Sequence, residues 1–178
     1  MKLLRTIRLD PSDTFVFERA AEPGEWAVSG AFMFWKFDLD ALEGKERAAF
    51  RSGFLGVKSL GWSTLVQIVE ASEDDRLGAI DTLARHLVAD FSAPSVADAV
   101  AAAEEEFAFA ASLCEHPQDT LIAVHRSFED GAIRESFRSL RSRGAAKPMR
   151  AFSFLEVEGE EGPGETVNLV NLSQGERK

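Results

Sequence analysis

The 178-residue chain contains no tyrosine, one cysteine and three histidines. Without a phenol, no tyrosyl acid, base or nucleophile is available, and the aromatic mass of 14 Phe and 3 Trp is nearly all hydrocarbon without a polar handle. The single cysteine, Cys114, excludes an intrachain disulfide and a cysteine-based zinc site, and it fits a reducing, cytoplasmic compartment. Long apolar runs are missing as well. Arg5 and Arg8 break the amino-terminal segment where a signal peptide needs an uninterrupted apolar core, and no stretch approaches the ~20 apolar residues of a membrane span. The chain therefore reads as soluble and unexported, with no membrane partner. Positive charge is scarce: a formal net charge of -10 and a pI near 4.8 repel phosphate backbones, so nucleic acid is not an expected partner either.

What is present is an aromatic stretch from Trp26 to Phe37, W-A-V-S-G-A-F-M-F-W-K-F, apolar at both alternating parities. As a strand it would set Trp26, Val28, Phe32 and Phe34 on one face and Ala27, Ala31, Met33, Trp35 and Phe37 on the other, so both faces call for cover. Upstream, residues 3 to 9 and 14 to 18 flank the D-P-S-D cluster and read as an antiparallel hairpin, which makes residues 1 to 38 a three-stranded meander. A short helix is expected over Leu39 to Ala49, weakened at Gly44, followed by a glycine-spaced link over residues 53 to 61. Residues 62 to 71, W-S-T-L-V-Q-I-V-E-A, carry the clearest strand composition.

Ser72 with Asp75 spells a capping box, and Leu77, Ile80, Leu83, Ala84, Leu87, Val88 and Phe91 repeat at helical spacing, predicting a helix over 73 to 91. Ser95 starts a second helix that runs to 115, where His116-Pro117 stops it, and the short connection makes the two an antiparallel pair. A strand follows over 119 to 128. Asp130 then reads as the cap of a basic amphipathic helix, with Ile133, Phe137 and Leu140 on one side, Arg134, Arg138 and Arg141 on another, and Gly144 closing it. Residues 149 to 158 read as a strand, T-V-N-L-V-N-L as a last hairpin strand, and 173 to 178 as a disordered tail.

These elements predict one α+β domain over residues 1 to 172, with a mostly antiparallel sheet of about six to seven strands, flat or curved. An antiparallel helix pair and a further helix pack on it. The helix pair covers one sheet face; closure of the sheet, a second subunit or a ligand would cover the other.

No motif carries catalytic or metal spacing. G53-F-L-G-V-K-S has two residues between its glycines where a phosphate loop has four, so it reads as a glycine-adapted turn. Ser63 lacks the second glycine of a nucleophile elbow. His86 and Asp90 share a helical face without further ligands, His125 reads as a packed strand histidine, and Cys114 as a small buried hydrophobe. The run Glu104-Glu105-Glu106 spreads over about 300° of a helix at ~100° per residue, which is a solvated face rather than paired acid-base chemistry. No cofactor is expected.

The electrostatic anomaly lies between Arg126 and Arg150, where seven cations face three acids, a local +4 against -14 for the rest. Either its charges are balanced within the fold, or Arg134, Arg138 and Arg141 receive an anionic ligand or an acidic partner.

The pattern F-M-F-W-K-F, then G-F-L-G-V-K-S-L-G-W-S-T-L-V-Q-I and H-P-Q-D-T-L-I-A-V-H-R-S-F, resembles an uncharacterised family of short bacterial proteins of unknown function. That resemblance spans nearly the whole chain and brings no catalytic residues. It implies an accessory role beside lipoate-ligase-like or redox enzymes. The sequence thus supports a non-enzymatic accessory or binding protein, homodimeric or bound to a protein partner, working through Trp26, Phe34 and Trp35 or through the basic segment. The alternative is an anion-binding domain or enzyme with its pocket between the sheet and the helix pair.

Overall fold

The computed structural model describes residues 1–142 and 155–158, and all that follows concerns those residues. The fold is α+β, built on one antiparallel sheet with four helices. In chain order the strands are β1 (Lys2–Ile7), β2 (Trp26–Val28), β3 (Phe54–Gly56), β4 (Trp62–Ser63), β5 (Leu65–Glu70), β6 (Leu121–Glu129), β7 (Ala132–Ser142) and β8 (Leu155–Glu158). The helices are α1 (Ser12–Val16), α2 (Gly44–Ser52), α3 (Glu73–Phe91) and α4 (Val96–Ser112). Across the sheet the order is β4-β3-β2-β1-β5-β6-β7-β8, with every ladder antiparallel.

The sheet is curled. Phe54 on β3 and Phe137 on β7 lie five strand positions apart, a separation of about 24 Å in a flat sheet at ~4.8 Å per strand, yet their ring centroids are 6.1 Å apart. The concave face carries Leu4, Val66, Ile68, Ile122 and Val124, matched across strands by register and all buried. Helix α4 lies against β1 and β2, with its Phe109 edge-on to Phe137, while α3 packs along α4. The inward stripe of α4, Ala99, Ala103, Phe107 and Ala110, is mostly small, which lets the helix approach closely.

Both long helices begin as their sequences predict. Ser72 Oγ accepts from the Asp75 amide at 3.1 Å while Asp75 Oδ2 accepts from the Ser72 amide at 3.0 Å, and Ser95 Oγ accepts from the Asp98 amide at 3.1 Å. The pair and strands β1, β5 and β6 stand where expected, although α4 ends at Ser112 rather than 115.

Four local expectations are corrected. Residues 14 to 18 do not form a strand: Pro11 sits at the amino-terminal cap of α1, where proline's missing donor is harmless, and Ser12–Val16 turn as a helix. Gly44 starts α2 instead of interrupting it, the glycine-spaced link contains β3, and the strand expected over 62 to 71 divides into β4, which pairs with β3 as a short hairpin, and β5, which pairs with β1 and β6. The aromatic stretch is a strand only over Trp26–Val28. At Gly30 the backbone turns left-handed (φ +79°), and Ala31–Phe34 form a 3-10 turn.

That turn answers the question of cover. Val28, Leu55 and Trp62 are register partners on one face of β2, β3 and β4, and Phe34 folds back to stack on Trp62 at 5.1 Å, with Phe50 of α2 edge-on to Phe34 at 5.2 Å. Aromatic residues expected to need an outside partner are thus partly consumed by their own neighbours.

The fourth correction is the basic helix, which is β7. Asp130 and Gly131 both have positive φ and join β6 to β7 in a two-residue hairpin turn, so Glu129 faces Ala132 and Ser127 faces Arg134. Of the strand expected over 149 to 158, Leu155–Glu158 form β8 at the sheet edge; residues 149–154, Gly144, the strand expected over 166 to 172 and the tail over 173 to 178 lie outside the described residues.

Candidate functional site

Strand β6 pairs with β5 only through Leu121, Ile122 and Ala123, whereas it pairs with β7 along its full length. Beyond Ala123 the space beside β6 is taken by α2, and Arg126 makes the connection. Its side chain is completely buried. Nε donates to Glu135 Oε2 at 2.8 Å, Nη1 donates to the Phe50 carbonyl at 2.9 Å, and Nη2 donates to the carbonyl and, at 3.3 Å, the hydroxyl of Ser29. Ser29 Oγ in turn donates to Glu135 Oε2.

The physical logic is that of a helix end. The last carbonyls of α2 have no intrahelical partner and carry the negative end of the helix dipole, and a guanidinium satisfies both the bonding and the charge. Burial pulls the Arg126 pKa down, opposed by the Glu135 carboxylate, whose charge and hydrogen bond favour the cation.

Glu106 on α4 joins this cluster. Its carboxyl is pushed up to about 7, first by burial and then by the Glu135 charge, with Arg126 and the Gly30 N–H pulling the other way. Glu104 and Glu105 are exposed, as a solvated run requires, but Glu106 sits next to the inward Phe107 on the edge of the buried stripe. The reading of all three carboxylates as solvent-facing is therefore corrected for Glu106.

Above the cluster, a cleft of about 340 Å³ opens between α2 and β6. Leu39, Leu42, Phe50 and Phe128 give it apolar walls, and Asp40, Arg47, Arg51, His125, Arg126 and Ser127 its polar ones. Arg47 and Arg51 are exposed, one turn apart on α2, and among the described residues neither takes part in an ion pair. Like charges at this spacing destabilise a helix by roughly 0.2–0.5 kcal/mol, an effect opposed at Arg51 by the negative end of the helix dipole in the last turn.

A family model describing a family of unknown function, DUF6505, matches residues 1–154. The chain belongs to this family. No curated protein and no solved structure matches it. The family carries no assigned activity, so function has to be argued from the residues.

For this family member, the site residues singled out in the sequence are not brought together. Phe34 is buried in the packing described above, Trp26 is half-buried beneath the Arg5 guanidinium at 4.1 Å, and Trp35 is 65 % exposed beside Lys36. Arg134 and Arg138 share the outer face of β7 with Ser136, while strand alternation places the half-buried Arg141 on the opposite face. Arg134 already pairs with Glu129 at 3.4 Å and Asp130 at 3.7 Å. The α2–β6 cleft lies apart from the place between sheet and helix pair where a pocket was expected, and no sequence spacing points to its Arg47 and Arg51.

Other motifs resolve structurally. The amides of Lys58 and Ser59 do bind an anion, but it is the chain's own Glu25: Oε2 accepts both, at 3.0 and 2.8 Å. Ser63 Oγ donates to the Ile7 and Leu65 carbonyls, and His86 bridges Asp90 at 3.2 Å and the Lys58 carbonyl at 3.3 Å. Among the described residues no group of three or more acidic, His or Cys side chains is arranged to hold a metal. Cys114 is buried and its thiol is pushed up to about 11 by that burial, the inert end of cysteine chemistry. His125, expected in the core, is exposed on the outer face of β6 and lines the cleft.

Among the described residues no helix is long and apolar enough to cross a membrane.

Proposed function

We propose that this protein is a cytoplasmic binding protein that holds an anionic group on a basic surface running from α2, across the cleft, to the outer face of the β6–β7 hairpin. One observation carries the reading: Arg47, Arg51 and His125 line the cleft at the hairpin end of β6, and His125 shares the outer face of the hairpin with Arg138, in a chain whose formal net charge is -10. His125 and Ser127 belong to both the cleft and the outer face, since His125 faces Ser136 and Ser127 faces Arg134 across the hairpin. A local positive field on an acidic molecule steers an anion to that end and repels it elsewhere.

An NMR titration of backbone and Arg side-chain signals with acetate, inorganic phosphate and a short acidic peptide tests this. Shifts confined to Arg47, Arg51, His125 and Arg138, and abolished in the Arg47→Glu/Arg51→Glu variant, are expected. Shifts scattered over the molecule, or unchanged by the charge reversal, overturn it.

A protein contact has its own observation, because Trp35 and Phe37 stay 65 % and 45 % exposed beside buried Phe34. A partner or second copy seated there predicts weaker association in Trp35→Ala, read by sedimentation velocity. Equal sedimentation of both forms as monomers, with no added partner bound, removes this contact.

A further inference from the structure

We propose that the occupant of the α2–β6 cleft is an amphipathic monoanion, a carboxylate carried on a short hydrocarbon body. The inference rests on the anion-binding reading above and specifies its ligand class.

The walls argue for two chemistries in one molecule. Leu39, Leu42, Phe50 and Phe128 line the cleft beside Arg47, Arg51, His125 and Ser127. Phe128 keeps 37 % of its surface exposed, although it follows Ile122, Val124 and Arg126, all buried, on the inward face of β6. A purely polar anion would leave these apolar walls wet, and a neutral hydrocarbon would leave two arginines without an anion.

Charge sets the valence. Arg126 is not available to a ligand, because Glu135 neutralises it and Ser29 and the α2 carbonyls take its remaining donors. Arg47 and Arg51 then contribute two positive charges and Asp40 one negative, so the lining carries +1 with His125 neutral. A single carboxylate balances it, accepting from one or both guanidiniums. The volume of about 340 Å³ is at the small end for ligand pockets, which span roughly 300–1,000 Å³, and suits a short chain rather than a nucleotide.

The experiment is calorimetric titration of the full-length protein with octanoate, octanol, acetate and inorganic phosphate, repeated on Arg47→Ala/Arg51→Ala. Both arginines are exposed, so the variant is expected to fold, and its circular dichroism and melting confirm that. Saturable octanoate binding, at least tenfold tighter than octanol or acetate and at least tenfold weaker in the variant, is the expected result. Octanol binding as well as octanoate, or octanoate binding undiminished in the variant, overturns the proposal. If phosphate or acetate binds at Arg47 and Arg51 but octanoate gains nothing from its chain, the ligand class is wrong and the anion-binding reading stands. If no anion binds, both fall.

Discussion

Arg126 Nη1 donates to the carbonyl of Phe50 at 2.9 Å, so a strand residue closes the carboxy-terminal end of a helix 76 positions earlier in the chain. This contact, with those to Ser29 and Glu135, ties β6, α2, the end of β2 and β7 into one unit. Removing Arg126 alone leaves the half-buried Glu135 without its cationic partner and the Phe50 carbonyl without its donor. Arg126→Ala is expected to destabilise by about 3–5 kcal/mol, the range for breaking a buried pair by deleting one member. Replacing both members, Arg126→Met with Glu135→Leu, is expected to recover most of that loss, because no isolated charge remains. Urea denaturation of the parent and the two variants decides it, and a double variant as unstable as the single one refutes the pairing argument.

Glu106 gives the fold a pH dependence with a definite sign. Its folded-state pKa of about 7 lies above the ordinary 4.5, so the folded protein binds this proton more tightly than the unfolded chain does. Its contribution is fully present below pH about 4.5, declines as the pH rises and is gone above about 7. At 1.36 kcal/mol per unit, with a discount for the solvent that reaches a half-buried carboxyl, the swing is about 2–3 kcal/mol. Glu106→Gln, which keeps the shape and cannot ionise, should flatten stability across this window and be more stable than the parent at pH 8. Chemical denaturation at pH 5, 6.5 and 8 checks this. Parallel curves for the two proteins would exclude Glu106 as the source.

Much of the architecture was legible because it rests on local signals. The capping box at Ser72, the apolar stripe of α3 and the β-branched run of β5 each specify an element without help from distant residues. The β7 strand was hidden by coincidence of period. Ile133 and Phe137 are four apart, which suits one helical face and, equally, one strand face, and the intervening inward position is the charged Glu135. Arg126, arriving from the neighbouring strand, and the Ser29 hydroxyl make a glutamate acceptable there. The Asp130-Gly131 dipeptide was the local clue, since both residues take the positive φ that a two-residue hairpin turn demands.

The site was less legible than the fold for the same reason. Arg47 and Arg51 become a pair beside His125 only after α2 fills the gap left where β5 stops pairing with β6. No spacing in the sequence encodes that juxtaposition. Glu106 was obscured by its neighbours: three successive glutamates read as one charged surface, although a helix must point them in different directions.

The turn at Gly30 separates the two uses of the aromatic stretch, and two glycines with left-handed backbones test why. A Cβ at Gly30 would stand 2.6 Å from the Leu55 Cβ and 3.0 Å from the Trp62 ring, whereas at Gly131 nothing lies within 4 Å. Gly131→Ala therefore carries backbone strain alone, roughly 1 kcal/mol. Gly30→Ala adds overpacking of about 1–3 kcal/mol and pushes Trp62 off Phe34, for a total of about 2–4 kcal/mol. Thermal melts should separate the two by several degrees; equal losses would mean that the Gly30 contact relaxes freely.

Phe34 and Trp35 are adjacent, equally aromatic and opposite in role. Phe34 is 4 % exposed and touches Phe37, Phe50 and Trp62, with ring centroids 5.8, 5.2 and 5.1 Å away, while Trp35 is 65 % exposed. Truncating a buried phenylalanine removes both its transfer free energy and the packing around the space it leaves, so Phe34→Ala is expected to cost about 3–5 kcal/mol. Trp35→Ala removes no comparable contact and should stay within about 0.5 kcal/mol. Because the residues are neighbours, local backbone disruption would affect both variants. A large loss at Phe34 with none at Trp35 therefore isolates side-chain packing as the cause, and it leaves Trp35 as an aromatic surface that stability does not explain. Equal losses at the two positions would show that Trp35 is also structural, and the protein contact suggested for it would lose its basis.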